Sequence, residues 1–302
     1  INFERVEFII KTDELKHQEE LNENKNMIES FISSKQVEGC SERTIKYYKE
    51  IIEKFVNSFD KSIKQISTNE IRNYLSNYKD NSSCGSITID NIRRVLSSFF
   101  SWLEDEDYII KSPIRRIHKI KTAVVVKEVL TDENLERLRD ECENIRDLSL
   151  IELLISTGMR VGELVNLNIN SLNFEDRSCI VLGKGNKERE VYFDAKTKLH
   201  LKEYISKRND SNDALFVSMR EPHQRLSISG IELIIRTLGI NSNISKVHPH
   251  KFRRTLATMA IDKGMPVEQV QKLLGHVKIE TTMHYALVNQ SNVKISHRRY
   301  IA

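Results

Sequence analysis

HPHKFRRTLATMAIDKGMPVEQVQKLLGHVKIETTMHY, residues 248–285, decides how the rest of the chain is read. It holds four histidines, the adjacent pair Arg253 and Arg254, and one tyrosine, punctuated by Gly264, Pro266 and Gly275. Those breaks divide it into three short helices. Gly264 suits the position just after a helix, Pro266 the first turn of the next, and Gly275 the end of that one. His250 and Arg253 are three residues apart and so share a helical face. His276 falls at the following turn and Tyr285 on the third helix. Imidazole, guanidinium and phenol gathered at one edge suit a phosphate, because an arginine fork matches its oxygens and imidazole can donate or accept a proton.

The 302 residues around this stretch are enough for a substantial core and, as a prior, about two domains. With 39% hydrophobic and 30% charged residues and four prolines, the composition is that of a helix-leaning globular protein. A net charge of +4 permits nucleic-acid binding without requiring it. Cys40, Cys84, Cys142 and Cys179 are too far apart for metal-ligand spacing and read as reduced thiols of a cytoplasmic protein. No apolar run reaches the roughly 18 residues of a membrane span.

In chain order, residues 1–26 read as a helix or lead-in linker. Met27, Ile28, Phe31 and Ile32 then form one apolar helical face. A second helix, capped by Ser41, carries Ile45, Tyr48, Ile52, Phe55 and Phe59. Thr68 is expected to cap a third, with Ile71, Tyr74, Leu75 and Tyr78. Thr88 is expected to open a fourth, running through Phe99, Phe100 and Leu103. Together they predict an N-terminal four-helix bundle over 27–118. Lys46 on the second helix and Arg93 and Arg94 on the fourth are candidate DNA contacts, although basic residues on bundle helices are usually just a solvated face. The following stretch strengthens the case. Lys111, Arg115, Arg116, Lys119, Lys121 and Lys127 surround Pro113 with no acid among them, as befits a linker along a phosphate backbone. The interdomain linker is placed at 119–129.

The second domain, 130–302, opens with a helix capped by Thr131. An apolar helix follows, through Leu150 and Leu154, and ends at Thr157-Gly158. Arg160 starts another, with Glu163 three residues on, and so sits at a helix N-terminus suited to anions. Residues 172–193 alternate short β-prone runs with Glu-Asp and Gly-Lys-Gly-Asn turns, which predicts a three-stranded antiparallel sheet with Lys184 at the second hairpin tip. Helices resume at 196–207 and 228–238. The fold class is therefore mainly α: a helical bundle plus an α+β domain with a small sheet.

Taken singly, these signals are weak, since many helices carry a histidine and an arginine three apart. Zinc is disfavoured because His248, His250, His276 and His284 lack the usual spacings and arginines crowd them. Gly183-Lys184-Gly185 lacks the spacing of a nucleotide-binding loop.

Jointly, the chain resembles the tyrosine recombinase and integrase family. TGMRVGEL (157–164) looks like its first arginine box, GKGNKER (183–189) like its lysine hairpin and HPHKFRRTLAT (248–258) like its second box. LLGH (273–276) follows, and Tyr285 lies nine residues beyond His276, with spacing like the Xer recombinases. Residues 27–118 look like the family's core-binding domain. One departure is Arg254, where many relatives have histidine.

The resemblance implies a C-shaped clamp on duplex DNA and a nucleophilic Tyr285 that forms a 3′-phosphotyrosyl link. It implies that Arg160 and Arg253 hold the non-bridging oxygens and that Lys184 protonates the leaving 5′-oxygen. His250 would accept the tyrosine proton, His276 would donate to the phosphate, and Glu163 would support Arg160. No cofactor or metal is implied. The partners would be double-stranded DNA sites and three further copies of the chain, in a homotetramer that exchanges C-terminal tails (about 287–302) through a Holliday-junction pathway. Integration or excision of a mobile element is the favoured role, and Xer-type chromosome dimer resolution the main alternative. Type IB topoisomerase-like relaxation and a non-catalytic DNA-binding regulator are alternatives from other classes. The expected location is cytoplasmic and nucleoid-associated.

Overall fold

The computed structural model describes residues 3–121, 128–183 and 187–286. The chain divides into two compact units, Ile1–Val124 and Val125–Ala302.

The first unit is built from α1 (Phe3–Val37), α2 (Glu42–Val56), α3 (Thr68–Ser82) and α4 (Ser86–Asp105). α1 runs unbroken through residues 26 and 27, where the sequence reading divided lead-in from bundle. Met27, Phe31, Ile52, Phe55, Ile71, Leu96, Phe99, Phe100 and Leu103 are buried together, each apolar side chain contributing roughly 2 kcal/mol. Aromatic edges interlock the helices: Phe31 meets Phe99 at 5.2 Å and Phe55 meets Tyr74 at 4.9 Å between ring centroids.

Helix starts follow capping chemistry, with two corrections. Ser41 caps α2 as expected, accepting from Thr44 N at 3.3 Å. For α3 the cap is Ser67, not Thr68. Ser67 Oγ accepts from Glu70 N while Glu70 Oε2 accepts from Ser67 N at 2.9 Å, so two orphan donors are satisfied reciprocally. Thr68 is one residue too late for that exchange, and its hydroxyl donates to Pro113 O at 2.6 Å instead. α4 begins at Ser86 after an extended Gly85, two residues before Thr88.

The second unit contains α5 (Asp132–Asp140), α6 (Ile145–Thr157), α7 (Val161–Val165), β1 (Leu172–Asn173), β2 (Ser178–Leu182) and β3 (Glu188–Tyr192). These are followed by α8 (Ala195–Ser206), α9 (Ile228–Asn241), α10 (Pro249–Asp262), α11 (Val267–Leu274) and α12 (Ile279–Ala286). The sheet is antiparallel in the order β1-β2-β3, with Cys179 opposite Val191 and Val181 opposite Arg189. α6 is its spine: Leu150, Ile151, Leu153 and Leu154 are fully buried, packed among α8, α10 and β3. The three helices expected within 248–285 are α10, α11 and α12. Gly264 (φ +91°) and Gly275 (φ +63°) are left-handed, as helix-ending glycines are. Pro266 is the residue before α11 rather than part of its first turn.

Among the described residues, no helix is long and apolar enough to cross a membrane.

Candidate active site

α6 ends where Gly158 turns left-handed at φ +58°. A Cβ there would lie 2.7 Å from Leu256 Cδ2 of α10, so another residue would have to push that side chain aside as well as adopt a strained left-handed backbone. Buried Met159 pins the turn, and Arg160 emerges immediately before α7. Arg160 N donates to Glu163 Oε2 at 2.7 Å and its Nη1 to Oε1 at 2.8 Å. Glu163 itself is buried and also receives Nη1 and Nη2 of Arg189, each at 2.7 Å. Burial would raise its pKa, but hydrogen bonds from Arg189 and Arg160 outweigh this and hold the carboxyl below the usual range.

α10 supplies the second arginine. Phe252 and Ala257 anchor the helix in apolar surroundings, and Arg253 is only 1% exposed. Its Nη1 donates to Gly158 O at 2.8 Å and its Nη2 to Leu274 O. Its Nε has no hydrogen-bond partner among the described residues. Burial, then the charges of Arg160 and Arg189, push this guanidinium down to about 10, which still leaves it cationic at neutral pH. His250, three residues earlier, is exposed on the same helix. Arg254 is buried too, and its Nη2 donates to Glu128 O at 3.0 Å.

The turn after α11 closes the site. His276 Nδ1 shares a hydrogen bond with Thr282 Oγ1 at 2.8 Å, and its ring stacks on Tyr285 with 6.0 Å between centroids. The half-buried Tyr285 also packs on the small cluster of Ala257, Ala260, Val270 and Leu274. Burial, then the positive field of Arg253, Arg160 and His250, depresses His276 to about 4. At neutral pH its ring is therefore uncharged, able to donate from one nitrogen only. An unfolded histidine titrates near 6.5, so below that pH the unfolded chain takes up a proton that the folded chain refuses. The contribution of His276 to stability is complete above pH 6.5 and is lost as pH falls towards about 4. His276→Gln should accordingly flatten the pH dependence of the melting temperature across that window. Parallel melting curves for variant and parent would contradict the assignment.

The structure thus brings Arg160, Glu163, Arg253, His276 and Tyr285 together, with His250 within electrostatic reach. Lys184 lies outside the described residues. On either side of it, Gly183 N donates to Lys187 O at 2.8 Å. The expected C-terminal tail and Lys127 also lie outside the described residues. Of the candidate DNA contacts, Lys46, Arg94, Arg116, Lys119 and Lys121 are exposed on the first unit. Arg115 is exposed and paired with Glu104 at 3.2 Å. Arg93 is turned inwards: its Nε donates at 2.8 Å to Asp90, which also accepts from Ile120 N at 3.1 Å. That triad ties the basic segment, at Ile120, to α4.

Sequence reasoning missed Arg189. Strand parity could have found it, because residues 189, 191 and 193 share a face and Val191 and Phe193 are buried. A cation on that inward face requires a buried anion, and Glu163 is that partner.

Two family matches cover most of the chain: the Phage integrase family over residues 128–292, and the Phage integrase N-terminal SAM-like domain over 27–110. The chain is 30% identical to a protein named Tyrosine recombinase XerC from Oceanobacillus iheyensis, covering 92% of this chain and 97% of that one. Among solved structures, it is similar to XerA recombinase (26% identity, TM-score 0.53, 92% of this chain and 99% of that one). It also shares its fold with the Tn1549 transposon integrase in complex with a circular intermediate DNA (18% identity, TM-score 0.75, 90% and 99% covered). The relatives at 29–30% identity are named Tyrosine recombinase XerC, whereas the likeness to the transposon integrase is one of fold alone.

Proposed function

Because the chain belongs to the phage integrase family and is a tyrosine recombinase, we propose that it exchanges strands between two double-stranded DNA sites in the Xer manner. The observation that carries this reading is the convergence of Arg160, Arg253, His276 and Tyr285 on one turn. Tyr285 Oη attacks the scissile phosphorus, the bond to the 5′-oxygen breaks, and a 3′-phosphotyrosyl link stores the phosphodiester for rejoining. His250 takes the phenol proton and Lys184 protonates the departing 5′-oxygen. Arg160 and Arg253 face the non-bridging oxygens, where negative charge grows in the transition state, and neutral His276 donates a hydrogen bond to the same group. The free 5′-hydroxyl of the partner strand then attacks the phosphotyrosine and releases the phenol, so no external energy source enters the balance. Both units contact the duplex, with the exposed basic residues around 115–121 along its backbone. A tetramer exchanging tails performs the two rounds of exchange through a Holliday junction.

Supercoiled plasmids with and without candidate sites test the reading. Recombinants that appear only when two sites are present support it. Relaxation without any site would indicate a topoisomerase, and binding without breakage a regulator. Lys184→Ala should slow cleavage of an ordinary phosphodiester by about 100-fold or more. It should recover most of that rate when sulfur replaces the 5′-oxygen, since a thiolate leaves without a proton. Failure of the sulfur substrate to rescue would exclude the general-acid role.

A further inference from the structure

The last two carbonyls of α11 and that of its cap residue, Gly275, are each taken by a different arginine. Arg189 Nε donates to Leu273 O at 3.1 Å, Arg253 Nη2 to Leu274 O, and Arg160 Nη2 to Gly275 O at 3.2 Å. A helix C-terminus leaves its final carbonyls without intrahelical partners and carries the negative end of the helix dipole, so it is a natural socket for cations. Gly275 is left-handed, and a Cβ there would lie 2.9 Å from Arg189 Cδ. The Arg189 side chain is thus laid directly against the backbone of the turn that carries His276.

Arg189 differs from the other two in its second partner. It forks onto both oxygens of the buried Glu163, whereas Arg160 reaches that carboxylate through one side-chain nitrogen. We propose that Arg189 is a positioning residue of the cleavage site: it fills the remaining capacity of Glu163, so that Arg160, which gives one hydrogen each to Glu163 and Gly275 O, keeps its other N–H groups for the phosphate, and it holds Leu273 O beside the Leu274 carbonyl that orients Arg253. The inference rests on the phosphate-cleaving reading of this site. Three guanidiniums against one carboxylate leave a net charge of two positives, matching the doubly negative phosphorane formed when a phenolate attacks a phosphodiester. Without Arg189, Glu163 Oε2 is open to a second side-chain nitrogen of Arg160 and draws that guanidinium further inwards, away from the phosphate.

The test begins with duplexes recovered from a random-sequence pool by covalent capture on the unaltered protein. On such a duplex, Arg189→Ala should form adduct at least ~30-fold more slowly at saturating DNA, with affinity changed less than ~3-fold, because only the transition-state arrangement is lost. Arg189→Lys keeps the charge but not the fork, and should remain ~10-fold slow while melting like the parent. Coupling through Arg160 is read from a double-mutant cycle. In an Arg160→Lys background, adding Arg189→Ala should cost less than ~3-fold, since the residue it serves is already impaired. Parent-like rates for both Arg189 variants, or a double variant slowed by the product of the single effects, would overturn the proposal. Failure of the unaltered protein to capture any duplex would overturn the recombinase reading beneath it.

Discussion

Tyr285→Phe is expected to abolish covalent protein–DNA adducts completely while leaving duplex binding intact. The ring is held by stacking on His276 and by the Ala257, Ala260, Val270 and Leu274 cluster, contacts that phenylalanine reproduces. Only the hydroxyl is lost. The folded protein should therefore melt within about 2 °C of the parent, as for removal of a partly solvated hydroxyl. Denaturing gels after incubation with captured duplexes read the result: any adduct formed by the phenylalanine variant transfers the nucleophile to another of the nine tyrosines.

Arg253→Met is the second large effect. Cleavage should fall by at least ~100-fold, the usual loss when a preorganised donor to a developing oxyanion is removed. Stability should barely move, because two contributions oppose each other. Methionine leaves Gly158 O and Leu274 O without their donor, each costing about 1 kcal/mol. It also removes a charge that burial and two neighbouring arginines already disfavour, as the depressed pKa of about 10 records. A melting temperature within about 3 °C of the parent is expected. A collapse of stability with proportional loss of activity would make Arg253 a structural residue instead.

Much of this was legible beforehand because the signals were local. Apolar spacing fixed the helices of both units, and glycines at 158, 264 and 275 marked the helix ends at which the site is built. Capping was less legible where two hydroxyl residues were adjacent: Ser67 and Thr68 are both good caps, and only the Glu70 exchange selects the first. Arg93 read as a surface cation because its partner Asp90 lies one turn back, and their joint burial depends on Ile120, 30 residues away. Arg189 was hidden for the same reason. Its partners lie 26 and 84 residues away, on elements whose proximity only the tertiary fold reveals. Pair geometry over such separations leaves no periodic trace in a sequence.

The meeting of arginines at the end of α11 also has a consequence for how the protein becomes dangerous to DNA. Arg160 and Gly275 are 115 residues apart, and Arg253 joins them from a third segment. Closing contacts of such long range costs loop entropy that packing of the rest of the unit has to offset. A nascent chain that has made α6 and the sheet still lacks the carbonyls against which its arginines must align. A chain that ends after the sheet also lacks Arg253, His276 and Tyr285, and so holds no half of the blade that could cut.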